Sequence, residues 1–285
     1  MDILQILLDQ AIEAADEGDD EKAIAIYEDI LSQREDWSAP HFNLGLIYKY
    51  QCDWEKSYYH NNRAVELDTD HQGSRWNLGI AATMLGDWKV ARQCWNVFGM
   101  NYEIIDEDTA GNLGISPIRI NPDGEDETVW ATRICPARAV INSIPLPESD
   151  HCFKDMVLND GAPNGYRLSD GKEYAVFNEI QHLTSSIYRT FSIKCKSLNE
   201  NDFNILRERC NAADIAVENW TTGLRLLCRQ CSEGRPHEAH DHDLEDTSGE
   251  HLIAFASTSL DRYVDVVSAW SDETGIECYE SLYYD

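Results

Sequence analysis

Cysteine and histidine side chains crowd into one short segment near the C-terminal end of the sequence. Cys228 and Cys231 form a C-x-x-C knuckle, and His237, His240 and His242 follow within eleven residues of Cys231. Zinc takes thiolates and imidazoles of this kind in a closed tetrahedral site. We therefore expect one structural zinc, held by the two cysteines and two of the histidines. His237 and His242 are the favoured imidazoles, and His240 is the substitute.

A catalytic metal is the weaker alternative for this segment. His237 and His240 are three residues apart, whereas the metalloprotease helix motif requires histidines four residues apart. Two thiolates and two imidazoles would also leave no open position for a substrate. An exposed histidine-rich loop with two ordinary thiols is the alternative to any metal site. A second pair, His151 and Cys152, is disfavoured as a catalytic dyad because neighbours on a strand point to opposite faces.

The acidic balance of the chain bears on its partners. The 285 residues include 52 acidic and 23 basic side chains, for a net charge of -29, and 42% of the residues are hydrophobic. Residues 1–110 hold 22 of the acidic and 8 of the basic side chains, so the excess is spread along the chain. Such a field repels nucleic acid and anionic membranes and speeds encounter with basic proteins. A simpler explanation of the acidic charge is that it keeps the protein soluble in a bacterial cytosol.

The cysteine count and the N-terminal residues bear on location. Nine cysteines, an odd number, are scattered through the chain. The first 20 residues lack a basic region followed by a long apolar run, which is the pattern of a signal peptide. No segment reaches the roughly 20 apolar residues that a membrane helix needs. We therefore expect a cytoplasmic protein whose cysteines are thiols or metal ligands.

A repeat of 34 residues organises the N-terminal third. Ala23, Ser57 and Ala91 are each 34 residues apart, and the pair Leu44-Gly45 recurs as Leu78-Gly79. Small residues permit close approach where two helices cross, and turn signals separate the helical segments. We expect three aspartates to cap the helices that follow these turns: Asp20, Asp53 and Asp87. From about Leu4 to Phe98, the pattern resembles the tetratricopeptide family.

The tetratricopeptide resemblance implies a concave groove lined by the first helix of each repeat. Its partner-binding positions would be Phe42, Leu46, Lys49, Tyr50, Trp76 and Ile80. Such a groove suits a peptide or a partner helix, or it packs against residues 100–180 of the same chain. Asn43 and Asn77 occupy one position of the family's carboxylate clamp, but the basic residues of that clamp are absent. A receptor for chaperone tails is therefore disfavoured.

The remaining sequence alternates between strand and helix patterns. Residues 128–134 and 139–144 read as strands, and Asn-Gly and Asp-Gly pairs mark tight turns near residues 159–165. Two βαβ patterns follow from Tyr188 onward. We therefore predict a multi-domain fold in three parts. An all-α array spans 1–100, a linker and small antiparallel β unit span 101–185, and a ferredoxin-like α+β domain with the zinc loop spans 186–285.

The C-terminal two-thirds indicate a function by resemblance. The sequence Asp160-Gly161-Ala162-Pro163 and the Cys/His loop resemble immunity proteins of bacterial polymorphic toxin systems. This resemblance implies a non-enzymatic inhibitor that binds a cognate basic toxin domain, with no nucleic-acid or membrane partner. The alternative is a tetratricopeptide adaptor or chaperone that binds a peptide segment of a partner. A zinc-dependent hydrolase is the third hypothesis.

Overall fold

The computed structural model describes residues 3–124, 126–169, 171–221 and 249–284. The chain divides into two compact units, a helical unit (Met1–Gly111) and a sheet unit (Asn112–Asp285). Within the described ranges, no helix combines the length and the apolar character that a membrane crossing requires.

The helical unit is built from three helical hairpins. Its helices are α1 (Ile3–Asp16), α2 (Asp20–Gln33), α3 (Ser38–Tyr50), α4 (Trp54–Leu67), α5 (Gln72–Leu85) and α6 (Trp88–Val97). Consecutive helices pack as pairs, and the first helices also contact one another, α1 with α3 and α3 with α5. The predicted tetratricopeptide-like repeats are confirmed by this arrangement.

Small residues allow the two helices of each hairpin to approach closely. A Cβ atom added to Gly79 would lie 2.6 Å from the indole ring of Trp95. A Cβ atom on Gly45 would lie 2.4 Å from the side chain of Asn61. Alanine fills the equivalent position of the first hairpin, where Ala11 is fully buried. The 34-residue period therefore reflects a repeated helix crossing.

Aspartate side chains begin the second helix of every hairpin. Asp53 accepts a hydrogen bond from the backbone N–H of Lys56 at 3.2 Å, and Asp87 accepts one from Val90 at 3.2 Å. The first cap is Asp19 and not the predicted Asp20, because Asp20 is already the first residue of α2. Asp19 also keeps the 34-residue spacing to the other two caps.

A closed five-stranded barrel forms the first half of the sheet unit. Its strands are β1 (Ile115–Ile120), β2 (Glu127–Cys135), β3 (Arg138–Ile141), β4 (Met156–Ser169) and β5 (Lys172–Thr184), with a 3₁₀ turn at Pro147–Ser149. Sequential strands are antiparallel, whereas β1 and β5 are parallel. Five strands that alternate in direction leave the first and the last pointing the same way, so closure requires one parallel pair. The interior holds Ile118, Ile120, Val129, Ala131, Ala139, Ile141 and Val157.

A four-stranded antiparallel sheet forms the second half of the sheet unit. Its elements are β6 (Arg189–Lys196), α7 (Glu200–Ala212), β7 (Ala216–Asn219), β8 (Glu250–Ser257), α8 (Leu260–Thr274) and β9 (Cys278–Tyr284), and the strand order is β7-β8-β6-β9. Both helices pack on one face, around Phe191, Phe255 and Trp270. The opposite face places Ala254 and Ala256 against Ile144 of the barrel half. Both faces of the sheet are therefore covered.

The predicted fold class is wrong. The two sheets of the described chain belong to one compact unit, and the middle segment is a closed barrel with a parallel pair, not a small antiparallel unit. The sequences at 159–161 and 164–165, predicted as tight turns, lie inside β4, where the pairing register shifts repeatedly. Glycine and asparagine mark bulges there, because a bulge absorbs the extra residues without ending the strand. The predicted zinc loop, residues 228–242, lies outside the described residues.

Candidate functional site

The groove formed by α1, α3 and α5 becomes more buried along the array. Ile12, Leu46 and Ile80 occupy equivalent positions at the 34-residue period. Ile12 is 40% exposed, Leu46 is half-buried, and Ile80 is completely buried. Helix α5 is buried through the whole stretch from Asn77 to Thr83. The accessible part of the groove therefore belongs to the first two hairpins.

The two predicted aromatic groove residues pack within the array. The Trp76 ring meets the rings of Trp95 and Phe98 edge-on, at centroid distances of 5.1 and 4.7 Å. The Phe42 ring meets that of His71 in the same way at 4.6 Å. Phe42 and Trp76 are both half-buried, so each presents part of its ring.

Lys49 and Tyr50 are adjacent in sequence but differ in exposure. The Lys49 side chain is buried, and its ammonium group donates to Asn77 Oδ1 at 3.3 Å and lies 4.3 Å from the centroid of the Tyr50 ring. Tyr50 itself is 60% exposed. Of the six predicted groove residues, Tyr50 is the most accessible large side chain. Lys49 links α3 to α5 within the array.

The two asparagines at the clamp position are engaged inside the helical unit. Asn43 is hydrogen-bonded to the Tyr27 side chain, and burial raises the pKa of Tyr27 to about 12. Asn77 accepts from Lys49. The other clamp positions carry no basic side chain in the sequence. This geometry disfavours a ligand that presents carboxylates.

Acidic side chains flank the exposed end of the groove. Asp9 and Asp16 lie three residues before and four residues after Ile12, so the three side chains share one face of α1. Both carboxylates are exposed. Sequence reasoning missed them, although the period aligns Asp9 with Asn43 and Asp16 with Tyr50. The accessible groove is an apolar patch with an acidic border.

A pair of histidines lies between α3 and α4. The Nδ1 atoms of His41 and His60 are 3.0 Å apart, and His41 Nε2 lies 3.3 Å from the backbone oxygen of Glu35. The carbonyl requires a proton on His41 Nε2, so the Nδ1–H of His60 donates to His41. Burial, together with the charges of His41 and Lys56, lowers the pKa of His60 to about 4. Burial also lowers the pKa of His41, so both imidazoles are neutral at neutral pH.

A cavity of about 630 Å³ opens at one end of the barrel. It is lined by the loop after β1, the 3₁₀ turn and the end of β5. Its carboxylates and imidazoles come from Asp123, Glu148, Asp150, Glu179, His151 and His182. Among the described residues that line it, there is no lysine or arginine. The cavity therefore favours cationic groups.

His151 and Glu179 form a buried ion pair in the wall of this cavity. The Nδ1 atom of His151 lies 2.6 Å from the backbone oxygen of Ser149, and Nε2 lies 2.8 Å from Glu179 Oε1. Both ring nitrogens face acceptors, so the imidazole carries two protons. Burial opposes this charge most strongly, but the hydrogen bonds to Glu179 and to the Ser149 backbone, together with the charges of Glu179 and Asp155, outweigh it and raise the pKa of His151. The backbone N–H of Asn121 donates to the other Glu179 oxygen at 3.1 Å.

The neighbouring groups do not form a Cys–His dyad. His182 Nε2 lies 3.1 Å from Asp155 Oδ2, and the same carboxylate oxygen accepts from the backbone N–H of Cys152 at 2.8 Å. Burial raises the pKa of the Cys152 thiol. Both nitrogens of His151 are already engaged, so His151 is not positioned to activate that thiol.

The predicted metal ligands stay untested. Cys228, Cys231, His237, His240 and His242 all lie outside the described residues. Within the described ranges, no group of three or more His, Cys, Asp or Glu side chains could hold a metal ion. The zinc site stays a prediction.

Comparisons with known proteins do not identify a family for this chain. No protein-family model matches the chain, and no curated protein matches it. Among solved structures, the second tetratricopeptide domain of Spaghetti (RPAP3), bound to an HSP90 peptide, matches with 22% identity. The match covers 33% of this chain and 86% of that domain, with a TM-score of 0.31. This score is too low to support any functional argument.

Proposed function

We propose that this chain is a non-enzymatic protein-binding protein whose helical unit holds a basic segment of a partner protein. The observation that carries the proposal is the acidic border of an exposed apolar patch. Ile12 is 40% exposed, and Asp9 and Asp16 lie on the same face one turn to either side. An apolar anchor with basic neighbours would complement this surface.

Tyr50 extends the same surface to the second hairpin. It is 60% exposed on α3, which is the first helix of the second hairpin and contacts α1. Large, rigid aromatic side chains tend to dominate binding energy at protein interfaces. Their conformational cost is small because they have few rotatable bonds. We assign Tyr50 and Ile12 as the apolar anchors of the interface.

The charge of the whole chain supports a basic partner. A net charge of -29 accelerates association with a cationic protein. The barrel cavity, lined by Asp123, Glu148 and Asp150 with no lysine or arginine among its described lining residues, offers a second acidic surface. Both acidic concave surfaces would favour a basic partner.

The narrower form of the proposal is an immunity protein, whose basic partner is a toxin domain encoded by a neighbouring gene. Its test is co-expression with the product of that gene. Cells should survive only when this chain is present, and the two proteins should purify together in a fixed ratio. A product that is harmless alone, or equally lethal with and without this chain, would remove the immunity form. The adaptor form would then remain.

The broader proposal is tested by selecting ligands from a displayed peptide library. The wild-type chain should enrich basic peptides that carry an apolar anchor. Asp16→Asn should lose this enrichment, whereas Glu17→Gln should retain it, because Glu17 is exposed and follows the last residue of α1, outside the face that Asp9, Ile12 and Asp16 share. Enrichment of acidic peptides, or equal behaviour of the two variants, would contradict the proposal.

A further inference from the structure

Three polar side chains form one row on the outer face of the barrel. Arg119 of β1 is paired with Thr128 of β2 and with Asn178 of β5. Residues paired directly across strands share a face of the sheet. Ile118 and Ile120, the sequence neighbours of Arg119, point into the barrel core. The row therefore lies on the outer face.

Arg167 of β4 reaches the same row. Its Nη1 donates to the backbone oxygen of Thr128 at 3.4 Å, and its guanidinium lies 4.7 Å from the centre of the Trp130 ring. Trp130 is two residues beyond Thr128 on β2, so it extends the row along the same face. The indole ring supports the flat side of the guanidinium and leaves its edge available for hydrogen bonds.

Both guanidinium groups are buried with incomplete hydrogen bonding. Arg167 is 2% exposed and Arg119 is 6% exposed. Among the described residues, the Nε and Nη2 atoms of both arginines have no hydrogen-bond partner, and neither have Thr128 Oγ1 and Asn178 Oδ1. The Nε atom of Arg119 lies 3.5 Å from Asp126 Oδ2, which is too long for a strong charge-assisted hydrogen bond.

Burial of such groups is costly unless something compensates their charge. Native proteins hydrogen-bond nearly all buried polar groups, and buried charges are paired. This chain has 52 acidic side chains available for pairing, yet in the described ranges Arg119 has only the 3.5 Å contact with Asp126, and Arg167 has no ion pair. Burial lowers the pKa of Arg167 to about 10, partly offset by Glu218, so the guanidinium is still charged at neutral pH.

We propose that Arg119 and Arg167, with Thr128 and Asn178, form a binding site for an oxyanion, a carboxylate or a phosphate. The parallel N–H groups of a guanidinium match two oxygens of such an anion. The Thr128 hydroxyl can donate a further hydrogen bond, and the Asn178 amide can do so only with its Nδ2 turned toward the anion in place of the unpartnered Oδ1. The site is independent of the proposed function, because it would bind an anion and lies in the sheet unit.

The experiment uses the full chain, with inorganic phosphate and acetate as separate probes. The measurements are calorimetric titration and the melting temperature at constant ionic strength. At least one probe should bind and raise the melting temperature. A higher melting temperature with phosphate alone identifies a phosphate site. A higher melting temperature with acetate identifies a carboxylate site. No binding of either probe would overturn the proposal.

The variants separate a ligand-binding arginine from a structural one. Arg167→Met should abolish binding, and without a probe it should melt no lower than the wild type, because an uncompensated buried charge is removed. Arg167→Lys keeps the charge without the planar fork and should bind about tenfold more weakly or worse. Arg207→Met, on the exposed face of α7, should bind like the wild type. A destabilised Arg167→Met together with unchanged binding by Arg167→Lys would make Arg167 structural.

Discussion

Single side chains in the second hairpin make the stability of the helical unit dependent on pH. The folded unit keeps His60 neutral, with a pKa of about 4 against an ordinary value of 6.5. The unfolded chain therefore binds a proton first as the pH falls. The contribution of His60 to the free energy of unfolding is fully present above about pH 6.5 and declines from there toward pH 4.

Replacing His60 tests this dependence. The wild type should lose on the order of 1–2 kcal/mol of unfolding free energy between about pH 7 and about pH 4.5, after discounting for solvent screening. His60→Asn retains an N–H donor at the position of Nδ1 and should lose less. Denaturant unfolding at a series of pH values measures the difference. An identical pH slope in the two proteins would show that the imidazole pair is not responsible.

The helix crossing at Gly79 leaves no room for a methyl group. A Cβ atom there would lie 2.6 Å from the six-membered ring of Trp95. Gly79→Ala should therefore destabilise the chain by about 1–3 kcal/mol, despite the higher helix propensity of alanine. Trp95→Phe removes the clashing ring atoms, so the double variant should recover part of the Gly79→Ala loss. Additive losses in thermal melts would argue against this contact.

For single residues, the sequence predicted where the small and helix-capping residues lie better than it predicted which side chains are exposed. The small residues and two of the three aspartate caps follow from the 34-residue period. The sequence does not reveal that Lys49 is buried or that Ile80 is covered whereas Ile12 is not. Equivalent positions of a repeat differ in burial because their neighbours differ, and the period carries no information on those neighbours.

Among the elements, the His151–Glu179 pair fastens the 3₁₀ turn to β5. Its pH dependence has the opposite sign to that of His60, because the folded unit raises the pKa of His151 above 6.5. This contribution to stability is complete below about pH 6.5 and is lost as the pH rises through the folded pKa. Asn121 also donates to the Ser149 backbone oxygen at 2.7 Å, so the end of β1 joins the same cluster.

Titration of the imidazole signals by NMR checks this sign. The wild-type His151 should titrate above 6.5. Glu179→Gln removes the negative charge that stabilises the protonated imidazole while it keeps a hydrogen-bond acceptor, so the His151 pKa should fall. His60, in the helical unit, should titrate unchanged in this variant and serves as the control. A His151 pKa below 6.5 in the wild type would contradict the ion pair.

Element prediction succeeded where hydrophobic periodicity was clear and failed where the chain bends inside a strand. The strand predicted at 128–134 matches β2 within two residues. The glycine and asparagine residues of β4 were read as turns because their local chemistry is the same in a turn and in a bulge. The parallel pair that closes the barrel follows from the odd number of strands, which no single segment encodes.

For the whole molecule, the charge of -29 governs how fast a partner arrives. The Debye length is about 10 Å at 0.1 M salt and about 3 Å at 1 M. The association rate with a basic partner should therefore fall as salt is raised across this range, whereas the dissociation rate should change little. Stopped-flow or surface-based kinetics at several salt concentrations measure both. A salt-independent association rate would show that charge does not guide the encounter.

The central claim is that a basic partner binds the accessible groove of the first two hairpins. Helix α1 offers a matched pair of probes, because Ile12 is 40% exposed in the groove and Ile6 is 39% exposed outside it. Ile6 aligns with Pro40 and Ser74, which are buried in the later hairpins, so it marks the outer end of the array.

Measuring the affinity of one selected basic peptide for the two alanine variants gives the most direct test. Ile12→Ala should weaken binding by about tenfold or more, chiefly through faster dissociation, because it truncates a buried anchor of the complex. Ile6→Ala should bind like the wild type, and both variants should melt at similar temperatures. Equal affinities for the two variants, or a greater loss for Ile6→Ala, would contradict a binding site in this groove.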